Sequence, residues 1–233
     1  MSQTSSVVPP AAGGRPTVVL VHGAFAESSS WNGVIARLLA RDYPVVAAAN
    51  PLRGVKVDTD YIAGLIASIP GPIVLVGHSY GGIVITNAVR GNPNVRALVY
   101  VAGYAPDTGE SAADLSGRYP GGTLAQTLAT VPLPDGGNDL YIRQDMYWAQ
   151  FAADLPEAES KLMGAAQRPV TEAALYEASD ANVPGWKTVP SWFIYGELDK
   201  NIPAAAHAFM AERAGAKETV AVPGASHVVG ISH

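Results

Sequence analysis

The chain has 233 residues, 48% hydrophobic and 15% charged, and its longest apolar runs are too short to cross a bilayer, so a disordered or membrane protein is excluded. The formal net charge of −5 and the lack of any basic stripe argue against nucleic acid as a partner. The absence of cysteine excludes disulfides, thiolate metal sites and a cysteine nucleophile.

The N-terminal segment, residues 1–16, is rich in Ser, Pro and Gly. It has neither a positively charged beginning nor a continuous apolar stretch of signal-peptide length. We therefore interpret residues 1–16 as a flexible tail and expect a cytoplasmic protein.

Short runs rich in Val and Ile then alternate with segments of helical periodicity. This alternation is typical of an α/β fold with a mainly parallel central sheet flanked by helices. Helices are predicted over 30–40, where Ser30 is the N-cap, over 83–90 and over 204–213. The predicted strands are 17–22, 44–49, 73–77, 95–101, 191–195 and 219–222.

The strand rhythm stops between residues 107 and 186, where Gly and Pro interrupt segments of helical period. This stretch is too long for a single crossover. We predict that 107–186 is a helical cap inserted into a core made of 17–106 and 187–233. The predicted cap helices are 123–130, 140–154, 157–167 and 171–178.

A candidate nucleophile stands in the sequence Gly-His-Ser-Tyr-Gly over 77–81, which matches G-x-S-x-G. An apolar strand precedes this motif and a small-residue helix follows it. A sharp turn between strand and helix needs glycines beside the strained residue and exposes the serine hydroxyl. Ser79 is therefore the candidate nucleophile.

A serine hydroxyl is a weak nucleophile at neutral pH and needs a base to take its proton. Of the five histidines, His78 adjoins the serine, His207 lies alone in a predicted helix, and His22 and His233 lie at a strand end and at the last residue. His227 follows the last predicted strand in a loop that can return over the sheet. We therefore predict His227 as the base.

The base needs a carboxylate that fixes its tautomer and orientation. Asp199 follows a predicted strand at its carboxyl end, where the active sites of α/β proteins gather, and it is the preferred candidate. Glu197 and then Asp107 are the alternatives. Along the chain Ser79 comes first, then Asp199, then His227, which is the order of nucleophile, acid and base in hydrolases that carry a G-x-S-x-G turn.

The oxyanion formed by nucleophilic attack needs backbone N–H donors at a fixed position. The N–H of Tyr80, directly after the serine, is one candidate. The loop after the first strand supplies the other, from Ala24 or, as an alternative, from Phe25.

With these motifs the chain resembles the α/β-hydrolase superfamily over about residues 16–230. The sequence His-Gly-Ala over 22–24, then Trp31, and the motif over 77–82 are similar to the small serine esterase branch. That branch includes plant methylesterases, hydroxynitrile lyases and bacterial relatives. The resemblance implies an α/β-hydrolase fold and the same five assignments: nucleophile Ser79, acid Asp199, base His227 and oxyanion donors Ala24 and Tyr80. The lyases carry threonine where this chain has Gly23, which argues against cyanohydrin cleavage.

The predicted activity is hydrolysis of small to medium, neutral, hydrophobic or aryl carboxylic esters through an acyl-enzyme. Lactone hydrolysis and a cofactor-free lyase or perhydrolase reaction are alternatives, and a non-catalytic ligand receptor is a further one. The substrate is a small ester or lactone. No metal or nucleotide motif is present, so no cofactor is expected. The candidate substrate-pocket residues are Phe25, Tyr104, Trp148 and Phe151.

Overall fold

The computed structural model describes residue 7, residues 14–134 and residues 136–233. Most of the predicted tail, 1–16, lies outside the described residues. Among the described residues no helix combines the length and apolar character needed to span a membrane. The strands are β1 (Thr17–Val21), β2 (Val45–Ala48), β3 (Ile73–His78), β4 (Val95–Val101), β5 (Leu128–Pro132), β6 (Asn138–Ile142), β7 (Val170–Thr171), β8 (Ser191–Gly196) and β9 (Glu218–Val222).

Nine α-helices lie between or after these strands in the described part of the chain. They are α1 (Asn32–Leu39), α2 (Val55–Ala67), α3 (Gly81–Ala88), α4 (Ala112–Gly117), α5 (Gln144–Phe151), α6 (Glu157–Ala166), α7 (Glu172–Tyr176), α8 (Ala204–Arg213) and α9 (Val229–Ser232). The helix predicted over 204–213 is confirmed by α8, and those over 30–40 and 83–90 are confirmed with shifted ends.

The central sheet has six strands in the order β2-β1-β3-β4-β8-β9, and every neighbouring pair is parallel. All six predicted strands are confirmed within a residue of their ends. The central strands β1 and β3 are Val-rich and buried on both faces, as parallel strands covered by helices are. Because the strands are parallel, the carboxyl ends of β3 and β8 lie at the same edge of the sheet.

Successive residues of β1 face opposite sides of the sheet and enter two separate hydrophobic clusters. Val19 and Val21 pack in the larger cluster with residues of α2, α3 and α8. Val18 and Leu20 pack in the smaller cluster, which residues of α1 and α9 join. The sheet therefore has helices on both faces, which confirms the predicted α/β architecture.

Helix α2 was missing from the sequence prediction, although Val55, Ile62 and Ile66 have helical spacing and are fully buried. The helix has no local side-chain cap, since Gly54 stands at its N-cap. Instead the carboxylate of Glu177, distant in sequence, accepts the N–H of Val55 at 2.6 Å and of Lys56 at 3.1 Å. The hydrogen bonds that a local N-cap side chain would accept are thus accepted by a residue that only tertiary packing brings to the start of α2.

The inserted segment contains a three-stranded antiparallel sheet, in the order β5-β6-β7, as well as helices. The helix predicted over 123–130 and the start of the one predicted at 140 are therefore wrong. The segment Leu128–Pro132 pairs with Asn138–Ile142 as a hairpin, and Gly136 and Gly137 in its turn have positive φ of 96° and 80°. The helices predicted over 157–167 and 171–178 are confirmed in shortened form by α6 and α7. The division into core and cap at 107 and 186 stays a prediction.

Candidate active site

Ser79 lies in the turn between the end of β3 and the start of α3. Its backbone has a φ of 52°, in the left-handed region that a residue with a side chain rarely adopts. Its N–H donates to Val101 O at 3.3 Å, and its carbonyl accepts N–H groups of Gly82 at 2.9 Å and Tyr104 at 3.1 Å. The strained conformation is therefore held by bonds to the neighbouring strand and helix.

Glycines let the end of β1 and the loop after it approach this turn. A Cβ on Gly81 would lie 2.4 Å from Val21 O, and one on Gly23 would lie 2.6 Å from the Cβ of Ser79. Both distances are shorter than a real Cβ contact permits. The first-strand loop and the serine turn can therefore meet only because both positions are glycine.

Asp199 lies in the loop after β8, with its side chain fully buried. Its Oδ1 accepts the N–H groups of Asn201 at 2.8 Å and Ile202 at 2.9 Å. Burial by itself would raise the pKa of Asp199, but the nearby His227 and the hydrogen bonds from His207 and His227 outweigh burial and hold the pKa well below its ordinary value. Asp199 is therefore a carboxylate at neutral pH.

His227 lies in the loop after β9 and donates from Nδ1 to Oδ2 of Asp199 at 2.7 Å. A Cβ on Gly196 would lie 2.3 Å from the carbonyl oxygens of Ala225 and Ser226, so glycine at the end of β8 lets the histidine loop approach. The other ring nitrogen, Nε2, is buried and has no hydrogen-bond partner among the described residues. The ring is thus oriented by the carboxylate, with one nitrogen left free.

His78 links the serine turn to the histidine loop. Its Nε2 is 3.0 Å from the carbonyl oxygen of His227, and the two ring centroids are 4.8 Å apart. Burial lowers the pKa of His78 to about 3, so the ring is neutral and Nε2 donates the hydrogen. The described residues show no hydrogen bond between Ser79 and His227 themselves. The structure therefore joins His227 directly to Asp199 and relates it to the serine turn through His78.

The loop after β1 carries the candidate oxyanion donors. The N–H of Phe25 donates to Arg168 O at 3.0 Å and is not free, which argues against the alternative donor. Among the described residues no hydrogen bond is found from the N–H of Ala24 or of Tyr80. Tyr147 donates its hydroxyl to Phe25 O at 2.8 Å and holds the loop from the inserted segment. The assignment of Ala24 and Tyr80 as oxyanion donors stays a prediction.

The alternative acids lie elsewhere. Glu197 is exposed, and Asp107 forms an ion pair with Lys187 at 2.6 Å. Within the described chain there is no group of three or more His, Cys, Asp or Glu side chains suited to a metal ion.

The four candidate pocket residues have different environments. Phe151 is fully buried, with its ring centroid 5.0 Å from that of His227 and 6.4 Å from that of Phe25. Tyr104 lines an open cavity of about 480 Å³. Trp148 is 40% exposed and donates its indole N–H to Leu155 O, so the structure does not bring it to the other candidates.

Two side chains that contact the site, those of His207 and Asp58, are not predicted by the sequence. His207 donates to Asp199, and the carboxylate of Asp58 accepts the hydroxyl of Tyr80. No sequence signal distinguishes His207 from any histidine of an amphipathic helix. Asp58 lies in the first turn of α2, and without that helix its position relative to Tyr80 could not be inferred.

Several known proteins resemble this chain in sequence or in fold. Norfluorocurarine synthase 2 from Strychnos sp. is 28% identical over 92% of this chain and 89% of its own. A carbendazim hydrolyzing esterase from a Nocardioides strain is 34% identical over 40% of this chain and 44% of its own. The crystal structure of polyneuridine aldehyde esterase superposes with a TM-score of 0.80 at 19% identity, covering 94% of each chain. The model of the alpha/beta hydrolase family matches residues 18–233. The chain therefore belongs to the alpha/beta hydrolase family.

Proposed function

We propose that this protein is a serine hydrolase that cleaves carboxylic esters. The observation that carries the proposal is the buried pair of Asp199 and His227, which leaves Nε2 of His227 without a partner among the described residues, at the same sheet edge as Ser79. An oriented imidazole with one free nitrogen is suited to take a proton from a nucleophile and return it to a leaving group.

In the proposed reaction Oγ of Ser79 attacks the ester carbonyl carbon while its proton passes to Nε2 of His227. The negative charge of Asp199 stabilises the imidazolium that forms. The carbonyl oxygen becomes an oxyanion, which accepts hydrogen bonds from the N–H groups of Ala24 and Tyr80. A hydrogen bond between serine and histidine often forms only when substrate is bound, which is compatible with the lack of such a bond among the described residues.

The tetrahedral intermediate then expels the alcohol, which takes the proton from His227 and leaves an acyl group on Ser79. Water then hydrolyses the acyl-enzyme by the same steps. His227 removes a proton from water while the water oxygen attacks the acyl carbon. The carboxylic acid is released when Oγ of Ser79 leaves and takes the proton back from His227. The cycle is balanced without a cofactor.

The cavity lined by Tyr104 suggests the class of substrate. Tyr104 donates its N–H to Ser79 O, and Asn201, on the same cavity, donates its N–H to Asp199, so two residues of the cavity lining are hydrogen-bonded to residues of the candidate site. Among the described residues that line it, Glu172 alone is charged. Its apolar lining includes Leu124, Leu128, Leu140 and Leu175. A neutral hydrophobic or aryl ester fits such a surface better than an anionic one.

Family membership supports a hydrolase, and the names of several relatives support an esterase. Besides the carbendazim hydrolyzing esterase, a pimeloyl-[acyl-carrier protein] methyl ester esterase from Aeromonas hydrophila is 26% identical over 95% of this chain and 92% of its own. Fold alone does not decide between chemistries, so the proposal depends on the arrangement of the side chains.

The first test is release of p-nitrophenol from acetate, butyrate and octanoate esters by the wild type and by Ser79→Ala. We expect turnover that disappears in Ser79→Ala, with chain-length preference reporting the size of the cavity. Ser191→Ala is the matched control, because Ser191 is buried at the start of β8 and its hydroxyl has no hydrogen-bond partner in the part of the chain that the structure describes. Equal turnover by the wild type and Ser79→Ala would overturn the proposal.

A second measurement separates the proposal from the other uses of this scaffold. A fluorophosphonate should label Ser79, identified by mass spectrometry of the labelled peptide, and should fail to label Ser79→Ala. A protein that binds ligand without covalent chemistry would give no label. Product analysis then distinguishes a released acid, expected for ester or lactone hydrolysis, from the carbonyl product of a lyase.

A further inference from the structure

Asp199 contacts two histidines through the same oxygen. Its Oδ2 lies 2.7 Å from Nδ1 of His227 and 3.1 Å from Nε2 of His207. Its Oδ1 is occupied by the two backbone N–H groups of Asn201 and Ile202. The carboxylate therefore accepts four hydrogen bonds, and it cannot rotate without breaking several of them.

The contacts of His207 determine which nitrogen carries its hydrogen. A carboxylate only accepts hydrogen bonds, so Nε2 of His207 must be the donor. The other nitrogen, Nδ1, is buried and has no partner among the described residues. A bare nitrogen there costs less than a buried N–H without an acceptor, so the neutral Nε2–H tautomer is favoured over the imidazolium.

The surroundings of His207 also favour the neutral ring. His207 lies on α8 with a side chain 1% exposed and stacks on Tyr195 of β8, with centroids 4.9 Å apart and planes at 15°. The titratable groups that face it are Tyr195, Asp199 and His227. Burial lowers the pKa of His207, outweighing the opposite effect of Asp199.

We propose that His207 is a positioning residue of the active site, a neutral hydrogen-bond donor that holds Oδ2 of Asp199 in the place from which it orients His227. The proposal rests on the proposed function, in which His227 becomes positively charged during each turnover. A neutral donor holds the carboxylate without placing a second positive charge beside that imidazolium.

Two substitutions separate this role from simple packing. His207→Phe keeps a ring against Tyr195 and removes the donor, whereas His207→Gln places an amide N–H where Nε2 stands. We expect His207→Phe to lower kcat about 10- to 100-fold with little change in KM, because a slightly misplaced catalytic group costs that much. We expect His207→Gln to retain kcat within about threefold, since it restores the hydrogen bond.

The pH profile is the readout that packing would not move. With one donor fewer, more negative charge on Oδ2 is available to His227, so the acidic limb of kcat/KM should shift to higher pH in His207→Phe. In His207→Gln the limb should stay where the wild type has it. An unshifted limb and an unchanged kcat in folded His207→Phe would overturn the proposal, as would a folded His207→Gln as impaired as His207→Phe.

Nitrogen NMR of the unmodified protein tests the hydrogen bond without a variant or a substrate. We expect His207 to be the neutral tautomer protonated at Nε2 at about pH 7. An imidazolium, or a tautomer protonated at Nδ1, would overturn the proposal even if no variant folded. If the protein hydrolysed no ester and reacted with no fluorophosphonate, the proposed function would be overturned, but the role of His207 would still be open to a separate test. That test is the resonance of the Nδ1–H proton of His227. We expect this resonance to shift in His207→Phe and to stay in place in His207→Gln. An unshifted resonance in His207→Phe would overturn the positioning role of His207.

Discussion

The hydroxyl of Tyr80 donates to Oδ2 of Asp58 at 2.9 Å, and this bond ties the residue after the candidate nucleophile to the first turn of α2. Asp58 is fully buried, and its Oδ1 accepts the N–H of Arg53 at 3.0 Å. Burial raises the pKa of Asp58, although the hydrogen bonds from Arg53 and Tyr80 lower it in part. The Tyr80 hydroxyl therefore stabilises a carboxyl group that has few other partners.

Tyr80→Phe should lower the free energy of unfolding by about 1–3 kcal/mol at neutral pH, because it leaves a buried carboxylate oxygen without its donor. The loss should shrink as pH falls through the raised pKa of Asp58, since the protonated acid needs the donor less. Urea unfolding at about pH 7 and pH 4.5 measures both effects. Tyr61→Phe, on the exposed side of the same helix, is the control and should change little. An equal loss at both pH values would contradict the charge argument.

Stability should fall as the solution is acidified below neutral pH. Burial lowers the pKa of His22, His78 and His207, that of His78 to about 3 from an ordinary value of 6.5. Between the ordinary pKa of 6.5 and the lowered pKa of each buried histidine, the unfolded chain binds more protons than the folded one. Stability is therefore fully present above about pH 6.5. It falls below that pH by about 1.4 kcal/mol per pH unit for each fully titrating histidine.

Other groups do not reverse this expectation. The raised pKa of Asp58 makes the folded state more stable as the pH falls, but this is one group against three histidines. The lowered pKa of Asp199 changes stability only at pH values below the ordinary aspartate pKa of 3.8. Urea unfolding at several pH values between about 5 and 8 gives the slope. His78→Phe should reduce that slope by up to one proton. A stability that stays constant across this range would contradict the assignment of three neutral buried histidines.

Ser79→Ala and His227→Ala should each lower kcat by about 10⁴- to 10⁶-fold, and the double variant should be little worse than either single one, because the two groups act in one step. Steady-state kinetics on the p-nitrophenyl ester with the highest turnover gives all three values. Losses that multiply in the double variant would mean that the two residues act independently, and the proposed proton transfer between them would be wrong.

Gly23→Ala should impair both folding and activity, since its Cβ would lie 2.6 Å from Ser79 Cβ and 2.7 Å from His78 O. We expect a loss of about 1–3 kcal/mol in the free energy of unfolding and a large fall in kcat. Gly64→Ala is the matched control on α2, where a Cβ meets nothing within 4 Å. That change should stabilise the protein by about 0.5–1 kcal/mol, because alanine favours a helix interior. Full activity of Gly23→Ala would show that the serine turn tolerates displacement.

The sequence alone determined the six parallel strands and the candidate residues Ser79, Asp199 and His227. Buried parallel strands are short, Val-rich runs, and a strained turn between strand and helix leaves glycines at fixed spacing, so both leave local patterns. The hairpin over 128–132 and 138–142 was not predicted because neither strand alternates between buried and exposed residues: residues 130–132 are all exposed, and residues 139, 140 and 142 are buried.

Only the tertiary structure decided how distant side chains meet. The N-terminus of α2 is capped by the carboxylate of Glu177, which lies 122 residues from Val55 along the chain. The local sequence around Val55 could not predict this cap. The contact of His207 with Asp199 and that of Asp58 with Tyr80 depend on how α8 and α2 pack against the sheet. Residue types and spacing report local backbone preferences, whereas a hydrogen bond between elements depends on packing angles that only the folded chain defines.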